Sequence, residues 1–124
     1  MQYIGKIDKK KLKIHARKII SEDIIITSER IKHIQLRHPG DYEKYAQYIP
    51  DVIENPDYIL EDKDNIDTIL ILKTIKDEEN KKIQVVVKLE TSIKGKNNSI
   101  LTFWHIRDRN YKSTIKNNKI LYKK

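Results

Sequence analysis

Ile83-Gln84-Val85-Val86-Val87-Lys88-Leu89-Glu90 carries an aliphatic side chain at every second position of residues 83–90: Ile83, Val85, Val87 and Leu89. A period of two belongs to a strand, whose side chains alternate between faces, and not to a helix. Lys88 therefore points away from the face that carries the four aliphatics. Taking this strand as 82–91, the same period runs through 66–75 upstream and 99–107 downstream, with a shorter strand at 58–61. The connections Lys63-Asp64-Asn65, 77–80 and 94–98 are short and polar, as antiparallel hairpin links are. The stretch predicts a four-stranded antiparallel meander.

Before residue 57 the period is 3.6. Thr27 or Ser28 can cap a helix with Glu29 in its first turn, and Pro39-Gly40 ends it, so a helix is predicted over 28–38. Asp41 reads as the cap of a second helix, with Tyr42, Tyr45, Ile49, Val52 and Ile53 at helical spacing. Pro50 can kink or split it, and Asn55-Pro56 stops it. Ile24, Ile25 and Ile26 form a short extended piece within residues 1–26, a basic entry segment with a short helix around Leu12 and Ile14 and further apolar residues at Ile19 and Ile20. At the other end, 111–122 is a weak helix or an extended arm. Helices first and then a meander is an α+β order, with N-terminal helices packed on one face of the sheet and the other face left for ligands. One domain is expected over 1–124, mainly helical over 1–56, with the antiparallel sheet and a C-terminal segment over 57–124.

Composition narrows the partners. Hydrophobic residues are 38% and charged residues 35%, which predicts a modest core under a charged surface, and 23 Ile against two Ala favour strands. Twenty-six Lys and Arg against 18 Asp and Glu leave +8, pointing to an anionic partner. With no Cys, disulfides, thiolate metal sites and a Cys nucleophile are excluded. The longest apolar runs, 24–26, 69–72 and 85–87, fall far short of the roughly 20 residues of a membrane span, and the first residues lack a signal-peptide core. A soluble protein acting in the cytoplasm, with no membrane partner, is the expectation.

The chemistry-bearing residues gather in two places. The four histidines are His15, His33, His38 and His105. On the 28–38 helix Arg30, His33 and Arg37 follow i, i+3, i+7 and form one stripe beside the apolar Ile31 and Ile34, with His38 at the helix end. An imidazole beside a guanidinium suits phosphoester chemistry, in which a base takes a ribose 2′-hydroxyl proton and a fixed cation steadies the phosphorane. The same stripe is also what a solvated basic helix face looks like. On the strands, Lys88 is a cation on the open face, Lys73 is the corresponding cation of 66–75, and Thr102 and Trp104 share a side. There Thr102 can bond a phosphate and Trp104 can stack on a base, unless Trp104 belongs to the core.

Other schemes fail on inventory. Three glycines, Gly5, Gly40 and Gly95, make no phosphate-cradling loop. Asp62, Asp64 and Asp67, like Asp77, Glu78 and Glu79, fall in turns and not as the paired carboxylates of a two-metal site. His33 and His38 are five apart where a helical zinc pair needs four, so neither a metal nor a cofactor is expected.

The run 25–42, with Glu29-Arg30-Ile31, His33-Ile34 and Arg37-His38-Pro39, then Ile53-Glu54-Asn55-Pro56-Asp57-Tyr58-Ile59, then the Val-rich strand with Lys88 and Ser99-Ile100-Leu101-Thr102-Phe103-Trp104, resembles the phage-associated nucleases of the barnase, EndoU, colicin and RelE-like fold. The resemblance covers nearly the whole chain. It implies a metal-independent ribonuclease with N-terminal helices on a four-stranded antiparallel sheet, used as a toxin or as a domain of phage and mobile-element proteins. It also implies His33, Arg37, His38, Lys88 and Thr102 as the active constellation. Arg30, Lys73, Ser99 and Trp104 complete the candidate substrate contacts. The expected partners are RNA, transfer RNA among its forms, and an acidic immunity or antitoxin protein. The alternative is a non-catalytic RNA or DNA binding module of phage or mobile-element origin, which shares the charge and the sheet but needs no histidine.

Overall fold

The structure is a computed structural model that describes residues 1–124, apart from the side chains of Ile14 and Asp77, so the expectations that fell on those two lie outside the described residues. Four strands form the expected antiparallel meander: β3 (Tyr58–Glu61), β4 (Thr68–Ile75), β5 (Lys81–Lys88) and β6 (Asn98–Ile106). The sheet is larger than that. Among the described residues it has seven strands in the order β1-β2-β6-β5-β4-β3-β7, adding β1 (Gln2–Lys6), β2 (Asp23–Ile26) and β7 (Lys119–Lys123). The expectation of four strands is corrected: β1 and β7 are short edge strands, and β2, which contains the expected extended piece at Ile24 to Ile26, pairs between β1 and β6, all three being too short to carry a period of two. β2 runs parallel to β6, but only through Ile24 and Ile25 opposite Asn98 and Ser99.

Helix α1 (Ser28–Arg37) is capped by Thr27, whose Oγ1 accepts the Arg30 N–H at 3.2 Å, and it ends before Pro39. The predicted second helix is split into α2 (Asp41–Tyr45), a 3₁₀ turn and α3 (Ile49–Glu54), with Pro50 in the first turn of α3, where its missing N–H costs nothing. Asp41 is not the cap that the sequence suggested. Gly40, at φ +86°, holds that position, and no side chain caps α2.

Both faces of the sheet are used. Ile34, Tyr45, Ile49, Val52 and Ile53 of the helices meet Ile24, Ile26, Ile69, Ile71, Ile83, Val85, Val87, Ile100 and Phe103 in the main core. On the opposite face Leu60, Leu70, Leu72, Val86 and Ile106 form a smaller cluster, covered by Tyr111 and Ile115 of α4 (Asp108–Asn117). That face is therefore only partly open, and helices do not sit on one side alone. On that face Lys88 at the end of β5 is exposed, and Thr102 and Trp104 of β6 are half-buried. Among the described residues no helix is long and apolar enough to cross a membrane.

Candidate active site

The site follows from how β6 is bordered. β2 stops pairing after Ser99, so residues 101–106 have no strand on that side. The corner between α1 and α2 takes the place of one: the carboxylate of Asp41 accepts the His105 backbone N–H at 2.9 Å. An edge N–H that burial would leave unpaired is thus satisfied by a side chain. The corner itself is tight. The His38 N–H donates to Ile34 O at 2.8 Å, and the Asp41 N–H donates to His38 O at 3.0 Å across Gly40. Thus fixed, the His38 ring stacks on Trp104 with centroids 4.9 Å apart and planes 10° from parallel.

A bulge at Leu101 shifts the register between Val86 opposite Thr102 and Val87 opposite Ile100. The alternation of β6 resumes after it, sending Phe103 into the main core and leaving Thr102 and Trp104 on the other face. Trp104 is half-buried, with His38 on its ring and the smaller cluster beside it. The Thr102 hydroxyl is buried and has no hydrogen-bond partner among the described residues. Such a group is uncommon in folded proteins, and a ligand oxygen can satisfy it.

Lys88 is exposed on the same face as Thr102, laterally paired with Ser99, and its amine donates to Ile66 O at 2.6 Å. It lies four residues along β5 from the partner of Trp104, so the Lys88 and Trp104 ends are separated by about 13 Å of strand. Between Lys88 and Ser99 opens a polar pocket of about 270 Å³, lined also by Asp67, Glu90, Thr91 and Ser92. Glu90 is held below the ordinary carboxylate range, chiefly by the Ser92 backbone N–H, so it stays ionised there. Asn98, which the sequence reading passed over, is fully buried and fixes this end: its amide donates to Ser21 O and Asp23 O, and its Oδ1 accepts the Glu90 N–H.

Helix α1 packs on the main core through Ile34 and meets the open face at its end, where His38 lies on Trp104. Ile34 is buried in the core, and Gln35 bonds Glu43 of α2 at 2.9 Å on one flank. Arg30, His33 and Arg37 occupy the other flank, turned away from α2 and the core; Arg30 and His33 are half-buried and Arg37 is exposed. Lys73 does not join them. It lies opposite Ile83, on the helix side of the sheet, where its amine donates to Asn55 O at 2.6 Å and sits 3.9 Å from both Asp51 and Asp57.

The remaining histidines are elsewhere. His105 faces the helices with its ring against Tyr45, and burial first, then Lys81, holds its pKa below the ordinary histidine value. His15 is buried on the entry segment with its Nε2 3.0 Å from Glu61 Oε2. Among the described residues no three His, Asp or Glu side chains converge as metal ligands. What the open face of the sheet does carry is one imidazole, His38, on the Trp104 indole, the Thr102 hydroxyl two residues from that indole, and the Lys88 amine about 13 Å along the strand.

A family model described as phage-Barnase-EndoU-ColicinE5/D-RelE like nuclease2 matches residues 1–123. No curated protein and no solved structure matches the chain.

Proposed function

The chain belongs to this phage nuclease family, and from that premise we propose that it is a metal-independent RNA endonuclease of phage or mobile-element origin, acting as a toxin. His33 takes the proton of a ribose 2′-hydroxyl, and the freed oxygen attacks the adjacent phosphorus. His38 gives its proton to the departing 5′-oxygen, leaving a 2′,3′-cyclic phosphate and a 5′-hydroxyl; the two imidazoles can exchange roles. Arg37 and Lys88 balance the charge that builds on the phosphorane, and the Thr102 hydroxyl donates to one of its oxygens. An active ribonuclease inside its producer also calls for an acidic inhibitor protein that covers these cations.

The observation that carries the reading is the pairing of a turn-locked His38 with the unpartnered Thr102 hydroxyl on one face of β6. A positioned imidazole lies on Trp104, and the unused buried donor is two residues away on the same strand. The experiment is cleavage of total RNA in EDTA, followed by analysis of the fragment ends. Cyclic phosphate ends, with DNA left intact, are the expected result, because DNA lacks the 2′-hydroxyl. Activity that appears only on adding magnesium, or equal cleavage of DNA, contradicts the mechanism.

A further inference from the structure

Gln84 sits in the middle of β5 on the face that carries Thr102 and Trp104. It is paired laterally with Trp104 of β6 on one side and with Leu72 of β4 on the other, and both Leu72 and Val86, two residues further along β5, belong to the smaller cluster of that face. An aliphatic residue would extend the cluster there. The position instead holds an amide, and the residue is only 7% exposed. β5 sends three polar side chains to this face, those of Lys82, Gln84 and Lys88. The Lys82 amine lies 3.1 Å from the Asp108 carboxylate of α4, and the Lys88 amine bonds Ile66 O. The Gln84 amide makes no hydrogen bond among the described residues.

That amide is not sealed in. Among the described residues the side-chain atoms both closed off from solvent and unpaired are His15 Nδ1 and Thr102 Oγ1, so the amide end of Gln84 keeps contact with solvent while its stem is covered. Two unpaired polar groups thus share one face. Thr102 lies two residues from Trp104, the lateral partner of Gln84, and such diagonal positions on neighbouring strands are about 7–8 Å apart. The His38 ring, stacked on Trp104, belongs to the same neighbourhood. An amide presents donors and an acceptor side by side. A phosphate only accepts and would leave the amide oxygen facing negative charge, whereas the edge of a nucleobase offers a donor beside an acceptor and satisfies both.

We propose that Gln84 reads the edge of one nucleobase, that of a nucleotide whose phosphate the Thr102 hydroxyl holds, and so gives the enzyme a sequence preference. The proposal rests on the nuclease reading for the phosphate at Thr102, but its test does not need cleavage. Gln84 takes no part in the proton transfers and selects which base stands beside the reacting phosphate. Its short distance from Thr102 confines that choice to a base adjoining the phosphate.

The test measures the affinity of the full chain for short 2′-O-methyl RNAs, which cannot be cleaved by 2′-oxygen attack: uridine throughout, or uridine alternating with adenosine, cytidine or guanosine. The parent should favour one of the four by about fivefold or more, the lower end for a bidentate amide–base contact. Gln84→Met keeps the length of the side chain and removes both hydrogen-bonding groups. It should bring the favoured RNA to within about twofold of the others, with the other affinities and the melting temperature unchanged. Gln84→Asn keeps the amide but shortens its reach, and should lose the same preference. With cleavable RNA of random sequence, fragment ends made by the parent should carry the favoured base at one position beside the break, and Gln84→Met should erase that bias. Equal affinities in the parent, a preference that survives in either variant, or a loss shared equally by all four RNAs overturns the proposal. If neither the parent nor a variant cleaves RNA, the nuclease reading fails while the affinities still decide the Gln84 contact.

Discussion

Phe103 and Trp104 are neighbours on β6 and belong to different worlds. Phe103 is 2% exposed among Ile, Val and Tyr of the helix face. Trp104 stands on the opposite face, half-buried, with a histidine ring on its surface and an unpaired threonine hydroxyl two residues away. The helix face is closed by area alone. The other face is closed by α4 on one side and left polar on the other, and its order comes from single contacts such as the Asp41 carboxylate on the strand edge. Where burial is complete a substitution should cost stability, and where single polar contacts define the surface it should cost function.

The sharpest contrast lies in the two aromatic neighbours. Phe103→Ala should destabilise the fold by about 3–5 kcal/mol, the range for a buried aromatic. Trp104→Ala should cost less, since part of the ring is already in solvent. Urea unfolding of both variants checks this, and equal losses would place both rings in one core.

Asp41→Ala comes next. It leaves the His105 N–H without its acceptor and loosens the corner that holds His38, for an expected loss of about 1–3 kcal/mol, with cleavage falling as well. An unchanged melting temperature in that variant would mean that the strand edge is satisfied some other way. Thr102→Val inverts the pattern. The hydroxyl bonds nothing among the described residues, so stability should hold or rise, by at most about 1 kcal/mol, while turnover falls because the phosphate loses a donor.

Much of this division was legible beforehand. The period of two in 83–90 placed Lys88 opposite the aliphatics, and the pairing of Thr102 with Trp104 on one side follows from the same rule. The α1 stripe needed only the 100° step and the cap at Thr27. Three things were not legible. The extended piece at Ile24 to Ile26 was legible as such, but its place in the sheet, like strands β1 and β7, depends on neighbours remote in sequence, and pieces of four or five residues carry too little pattern to announce it. Asp41 after Pro39-Gly40 looks like a helix cap, and only the missing strand beside residues 101–106 gives its carboxylate a different use. Lys73 shares a strand type with Lys88 but not its phase, because Lys73 falls opposite Ile83 and so on the helix side.

The smallest expected effect concerns pH. Burial and Lys81 depress the His105 pKa in the folded chain, so between that value and the unfolded one of about 6.5 the unfolded chain binds more protons. The contribution of His105 is therefore present above about pH 6.5 and is lost as pH falls through its folded value. Thermal melts of the parent and of His105→Gln at neutral and mildly acidic pH should converge as the pH drops. A difference that grows toward acid would reverse the sign.

The most direct trial compares the two histidines that flank the same strand edge. Single-turnover cleavage of RNA should fall by at least a hundredfold, the lower end of an acid–base contribution, when His38 is replaced by Ala, and should remain within a few-fold of the parent when His105 is replaced by Gln. If His38→Ala retains full turnover while His105→Gln abolishes it, the chemistry belongs to the helix face, and the site described on the open face of β6 is not the active one.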